Sequence, residues 1–255
     1  EGDIKKSKLY RWNKQPFLNI YQAKDSLMFN DMSVKVLDFY DVEKLKNINS
    51  NYHEASAIVT RDGKTMYFTR DNYNGKKLKT DKKRTTHLKI YKAEFVDNQW
   101  VNITELSFNS DAFSTGHPAL SVNEKELYFV SDMPGGFGAT DLYKVSIYDD
   151  GTYGTPENLG KKINTEGREM FPYISANNVL YFSSDGHIGL GALDIFESNI
   201  NSDNYSEPSN LGSPINSNRD DFSFAIIEEQ TKGYFSSNRK GGKGDDDIYS
   251  FTVYR

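Results

Sequence analysis

The sequence predicts an all-β chain: a β-propeller of five four-stranded blades, closed by an N-terminal strand. Three markers predict it. An aromatic pair recurs as Tyr67-Phe68, Tyr128-Phe129, Tyr181-Phe182 and Tyr234-Phe235, the last three 53 residues apart. Asp141, Asp194 and Asp247 keep the same step of 53. An apolar-Asn-Ser/Thr tripeptide recurs as Ile48-Asn49-Ser50, Phe108-Asn109-Ser110, Ile163-Asn164-Thr165 and Ile215-Asn216-Ser217. Markers locked to one period of this length, set among short strand patterns, are the signature of propeller blades.

Taken in order, residues 1–7 are charged and expected to fray as a disordered segment, leaving 8–255 as a single domain. Residues 8–12 alternate apolar with basic and read as a short strand. Residues 16–50 read as a compressed first copy. Its first strand would be Pro16-Phe17-Leu18-Asn19-Ile20, with Met28-Phe29 in place of the aromatic pair and a third strand at 36–39. The second copy spans 52–110 and carries a lysine-rich excursion at 71–86, expected to be solvated and mobile. Copies at 115–165 and 168–217 are the most regular. The fifth begins near 220 and lacks the fourth strand, which carries Trp100, Tyr153 and Tyr205 elsewhere. Residues 8–12 have the composition that strand needs, so they are expected to pair with 247–253 and remove an exposed edge. Four blades plus an extension is the alternative arrangement.

Each joint has its own chemistry. Asp62-Gly63, Asn123-Glu124 and Asn177-Asn178 sit where tight hairpins need left-handed residues. The two rings of each aromatic pair must face opposite sides of a strand, so each blade offers one ring to each neighbour. Glycines cluster before the third strands (Gly135, Gly136, Gly138; Gly186, Gly189, Gly191; Gly241, Gly242, Gly244), implying positive φ or close backbone approach. Positive φ is expected at Gly136 and Gly189. The aspartates that follow can accept hydrogen bonds from the loop amides.

Several function classes are excluded or disfavoured. The chain is 36% hydrophobic and 14% aromatic, with a mean hydropathy of −0.70. It contains no apolar run long enough to span a membrane as a helix. A net charge of −5 with both signs mixed leaves no basic stripe for nucleic acid. Zero cysteines exclude disulfides, cysteine–zinc sites and thiol catalysis. The glycine loops lead into strands rather than helices, so they are not a nucleotide fingerprint, and no cofactor is expected. Asp245-Asp246-Asp247 lacks the spacing of a calcium loop, so no metal is expected. With no Gly-x-Ser-x-Gly or His-Glu-x-x-His motif and four isolated histidines, no catalytic residues are assigned and the chain is read as a non-enzyme. Two alternatives stand beside this: a propeller that binds a glycan or peptide, and a propeller glycosidase with carboxylates from different blades.

The residues just before each inner strand vary most in charge. His53, Glu54, Arg168, Glu169, Arg219, Asp220 and Asp221 would gather at one mouth of the channel as a polar binding surface. A plainer reading, favoured for the individual residues, makes Arg168, Glu169, Arg219 and Asp220 interblade ion pairs.

The sequence Leu127 to Asp132, with Asp141-Leu142-Tyr143, Pro156 to Gly160 and Ile163-Asn164, resembles the repeats of TolB-type propellers. More narrowly it is similar to repeats in OmpA-family envelope lipoproteins of bacteria that use type IX secretion and gliding. The match is strong over 50–255 and weak over 8–50. The resemblance implies a non-catalytic scaffold in the periplasm, tethered to the outer membrane in the full-length protein, with protein partners from the envelope or secretion machinery. In that family, peptidoglycan is bound by an OmpA-like segment that this sequence does not include.

Overall fold

The computed structural model describes residues 9–10, 14–29, 35–202, 204–227 and 231–254, and every regular element among them is a strand. No helix among them is long and apolar enough to cross a membrane. The strands form five antiparallel sheets in chain order. The first is a ribbon of β1 (Tyr21–Phe29) and β2 (Lys35–Lys44). Blade A holds β3 (Glu54–Val59), β4 (Thr65–Asp71), β5 (Leu88–Val96) and β6 (Gln99–Glu105). Blade B holds β7 (Thr115–Leu120), β8 (Glu126–Ser131), β9 (Asp141–Ser146) and β10 (Glu157–Asn158). Blade C holds β11 (Glu169–Ile174), β12 (Val179–Ser184), β13 (Asp194–Asn201), β14 (Asn204–Tyr205) and β15 (Ser209–Asn210). Blade D holds β16 (Asp221–Ile227), β17 (Lys232–Ser237) and β18 (Asp247–Thr252). The all-β propeller is therefore as expected, but it is built from four blades and a two-stranded ribbon.

The Asn of the apolar-Asn-Ser/Thr tripeptide explains the ribbon. In blade B, Asn164 accepts the Leu142 N–H at 2.8 Å and returns its own amide to the Leu142 carbonyl at 3.0 Å. Asn109 does the same to Ile90, and Asn216 to Ile195. Each clamp satisfies both backbone groups of a buried third-strand residue, as another strand would. Asn49 clamps Ile20 in this way, both bonds at 2.7 Å. Ile20 therefore occupies a third-strand position, and β1 and β2 are the third and fourth strands of an incomplete blade. Residues 16–20 do not form the first strand that the sequence suggested.

The closing strand expected at 8–12 lies partly outside the described residues. Its described part, Leu9 and Tyr10, turns back onto Pro16 and Gln15, while β18 pairs with β17. The Gln15 side chain nevertheless reaches the blade D loop, donating to Asp245 at 3.2 Å.

The aromatic pairs split between blade interfaces as their alternation requires. Tyr128 packs with Leu142, Phe182 and Phe196 between blades B and C, while Phe129 packs with Tyr67, Ile90 and Tyr143 between A and B. The outermost interfaces repeat the pattern, with Phe68 and Tyr91 beside the ribbon and Tyr181 stacked on Phe224 at 4.5 Å against blade D. The first hairpins turn on left-handed Gly63, Glu124 and Asn178, as their sequences demand.

The aspartates before the third strands hold the glycine loops. Asp141 accepts the amides of Phe137 and Gly138, Asp194 those of Leu190 and Gly191, and Asp247 those of Lys243 and Gly244. Neither Gly136 nor Gly189 lies in the left-handed region; Gly135 and Gly241 do. Close approach makes glycine necessary at the former positions. A Cβ on Gly136 would sit 2.6 Å from an Asp141 oxygen, and one on Gly189 would overlap an Asp194 oxygen.

Candidate functional site

The four first strands break register at the same place. Shifts fall between Ala55 and Ile58 in β3, Gly116 and Ala119 in β7, Met170 and Tyr173 in β11, and Phe222 and Ala225 in β16. Inside each bulge one residue is left-handed: Ser56 (φ 47°), His117 (52°), Phe171 (52°) and Ser223 (53°). None is glycine, and each such residue costs on the order of 1–3 kcal/mol. A repeated, costly backbone device re-aims side chains, and here it does so toward one point.

That point is a cavity of about 150 Å³, walled by three residues from each of β3, β7 and β11 and two from β16. The Ser56 hydroxyl lies 3.2 Å from His117 Nδ1. Phe171 meets the His117 ring edge-on at 4.2 Å and Phe222 at 5.0 Å. Burial pushes the His117 imidazole down to about 4, so the ring is neutral at physiological pH. The walls are otherwise Ala, Ile, Pro, Phe and Tyr, so the site is uncharged and mainly apolar, with hydroxyls from Ser56 and Ser223. The Ser56 and Ser223 hydroxyls and the neutral His117 ring are the groups of this cavity that can hydrogen-bond. Two larger clefts, of about 480 and 500 Å³, flank Trp100 between the ribbon and blade A. Neither joins the blades around the axis.

The seven residues singled out from the sequence sit two or more positions before this ring. Glu54, Glu169 and Asp221 are fully buried. Each accepts the backbone N–H of the repeat's Ser/Thr: Ser50 at 3.0 Å, Thr165 at 2.9 Å and Ser217 at 2.6 Å. Arg70 completes Glu54, Ser184 completes Glu169 and Arg239 completes Asp221. Burial raises the Glu54 and Glu169 carboxyls above their ordinary value, against the pull of these hydrogen bonds. Arg168 pairs with Asp185 at 2.8 Å. The ion pairs of Glu54, Arg168 and Asp221 therefore lie within blades, not between them. Asp220 does cross between blades, accepting the Leu193 N–H at 3.1 Å. His53 accepts the Leu18 N–H at 3.1 Å and packs against Tyr10 and Phe17, and Arg219 is exposed.

The ring residues were missed because they share a backbone state and no side-chain type. One signal was present: each stands two positions after the strand-opening Glu54, Thr115, Glu169 or Asp221.

No protein-family model and no curated protein matches the chain. Solved structures do. A protein assigned as TolB from Agrobacterium tumefaciens superposes with a TM-score of 0.53 at 15% identity, covering 85% of this chain and 67% of that one. A puromycin-hydrolysing peptidase of Mycobacterium tuberculosis gives 0.48 at 14% identity, covering 78% of this chain and 29% of its own. An α-L-arabinofuranosidase of Lactobacillus brevis gives 0.43 at 14% identity, covering 80% and 74%. At 15% identity the likeness to the first of these speaks for architecture alone, and that architecture is a β-propeller.

Proposed function

We propose that the chain is a non-catalytic binding scaffold of the bacterial cell envelope, the propeller portion of a periplasmic protein tethered to the outer membrane and serving type IX secretion or gliding. The observation that carries the binding role is the uncharged axial cavity. Hydrolysis on a propeller needs carboxylates facing a shared pocket, at separations set by the chemistry. Here Glu54, Glu169 and Asp221, the acids nearest the axis along the strands, are committed to Ser50, Thr165 and Ser217. The envelope setting rests on the repeat motifs of residues 127–164 and on the TolB-type architecture.

A second reading, a small-ligand site on the axis, is favoured by the convergence of four strained residues on one cavity. Such strain concentrates at ligand clamps.

The test is a photocrosslinking residue placed at exposed Ser223, with the full-length protein in its own bacterium. A covalent adduct with an envelope or secretion component is expected. Crosslinks confined to the chain itself would overturn the scaffold reading. Turnover of chromogenic glycosides that is lost on Glu169→Gln in a still-folded protein would replace it with the hydrolase.

A further inference from the structure

The loop between β4 and β5 differs from its counterparts in blades B, C and D, which are glycine-rich. Residues 75–84 carry Lys76, Lys77, Lys79, Lys82, Lys83 and Arg84 against one carboxylate, Asp81, in a chain of net charge −5. All six cations are exposed.

Hydrogen bonds of its own close the turns of this solvated loop. Asn74 Oδ1 accepts the amides of Lys76 and Lys77, at 3.1 and 3.0 Å. Asp81 Oδ1 accepts those of Lys83 and Thr85, both at 2.8 Å. Lys79 N–H donates to the Asn72 carbonyl at 2.7 Å, and Tyr73 bridges Leu78. The acids that could neutralise the lysines are already engaged. Asp81 pairs with His87 at 3.3 Å, and Asp111 pairs with buried Lys89 at 2.6 Å. Among the described residues, none of the six cations has a carboxylate within ion-pair distance. The turns are built by backbone and Asx groups, and the charged side chains are left exposed, with Lys79 alone adding to the field that lowers the Asp111 carboxyl.

We propose that this loop is a preorganised cationic platform that adsorbs the protein on an anionic phospholipid surface. Five of the six charges are lysine ammoniums, hydrated point charges without the fork that fixes a single carboxylate. Leu78 is the one apolar residue among the charges, and its partly buried position, with its backbone bridged to Tyr73, makes it a poor membrane anchor. Many mobile point charges on a fixed base suit a diffuse anionic surface, where each contributes roughly a fivefold gain in binding. The inference goes beyond the role proposed above and does not use the axial cavity.

Cosedimentation of the whole chain with vesicles tests it, comparing phosphatidylcholine alone with phosphatidylcholine mixed with phosphatidylglycerol. Binding is expected to the mixed vesicles only, and to weaken as salt shortens the screening length. Neutralising Lys76, Lys77, Lys79, Lys82 and Lys83 together (each Lys→Gln) should lower binding by on the order of a hundredfold or more, with the melting temperature unchanged. The matched control neutralises Lys14, Lys46, Lys64, Lys125 and Lys240, exposed lysines elsewhere with the same summed charge, and should bind nearly as the parent does. The proposal is overturned if the parent fails to pellet with anionic vesicles, or if the two variants bind alike. Binding to soluble poly-glutamate without binding to vesicles would assign the loop to an acidic protein instead.

Discussion

The Ser56 hydroxyl and His117 Nδ1, from residues 61 positions apart in sequence, meet at 3.2 Å on the propeller axis, each on a left-handed residue inside a bulge. Their contact joins blade A to blade B where no regular strand pairing could. Burial of that imidazole also gives the axis a pH dependence.

His117 is held well below its ordinary value, at about 4, by burial. A histidine whose pKa is depressed on folding contributes stability above its unfolded pKa of about 6.5, and that contribution is lost as pH falls toward the folded value. Denaturant midpoints should therefore drop between about pH 6.5 and 4. His117→Gln should flatten that part of the curve. Burial of Glu54 and Glu169 raises their pKa values and so acts in the opposite direction. The difference between parent and variant isolates the imidazole. Parallel pH curves for the two proteins would refute the assignment.

The Asn clamps should be worth more than a surface hydrogen bond. Asn216→Ala leaves the Ile195 N–H buried without a partner, at about 1–3 kcal/mol, while the Ile195 carbonyl keeps the Leu211 N–H at 3.1 Å. Asn216→Asp keeps the acceptor but sets a buried carboxylate oxygen against the Ile195 carbonyl and Asn210 Oδ1, so it should cost at least as much as alanine. Urea unfolding of the three proteins gives the order directly.

The rings of one aromatic pair should differ in cost. Phe182 is 1% exposed within the B–C interface, so Phe182→Ala should lose about 3–5 kcal/mol. Tyr181 is half-buried against Phe224, and its truncation should cost less, about 2–3 kcal/mol. Equal losses, or a melting point moved by less than a degree for Phe182→Ala, would contradict the interface assignment.

Two glycines separate conformation from space. Gly189→Ala drives a Cβ into the Asp194 carboxylate that holds Leu190 and Gly191, so the loop must open. Gly135→Ala meets open space, and its cost is the left-handed backbone alone, about 1–2 kcal/mol. Gly189→Ala is expected to be the more damaging of the two in thermal unfolding.

The split of Tyr128 and Phe129 between two interfaces was legible because it needs only the two-residue period of a strand. The Asn of the tripeptide was visible as a marker, but its role was not, since its partner lies 19 to 29 residues away in sequence. The ribbon was misread because Pro16-Phe17 imitates Pro172-Tyr173; the Asn49–Ile20 clamp alone reveals its register. The axial ring was hard to see for a deeper reason. Ser56, His117, Phe171 and Ser223 answer a demand of the backbone, and only their fixed offset from the strand-opening Glu54, Thr115, Glu169 and Asp221 marked them.

The clamps also determine how the molecule comes apart. Asn49, Asn109, Asn164 and Asn216 each stand on the segment that leads into the next blade while they complete the third strand of the blade before. A repeat unit in the sequence is thus not a unit of unfolding: melting one blade strips the edge of its predecessor. Opening should spread between neighbours, as in a one-dimensional cooperative chain, and the amides of Ile90, Leu142 and Ile195 should exchange with solvent together with the blade that follows each of them.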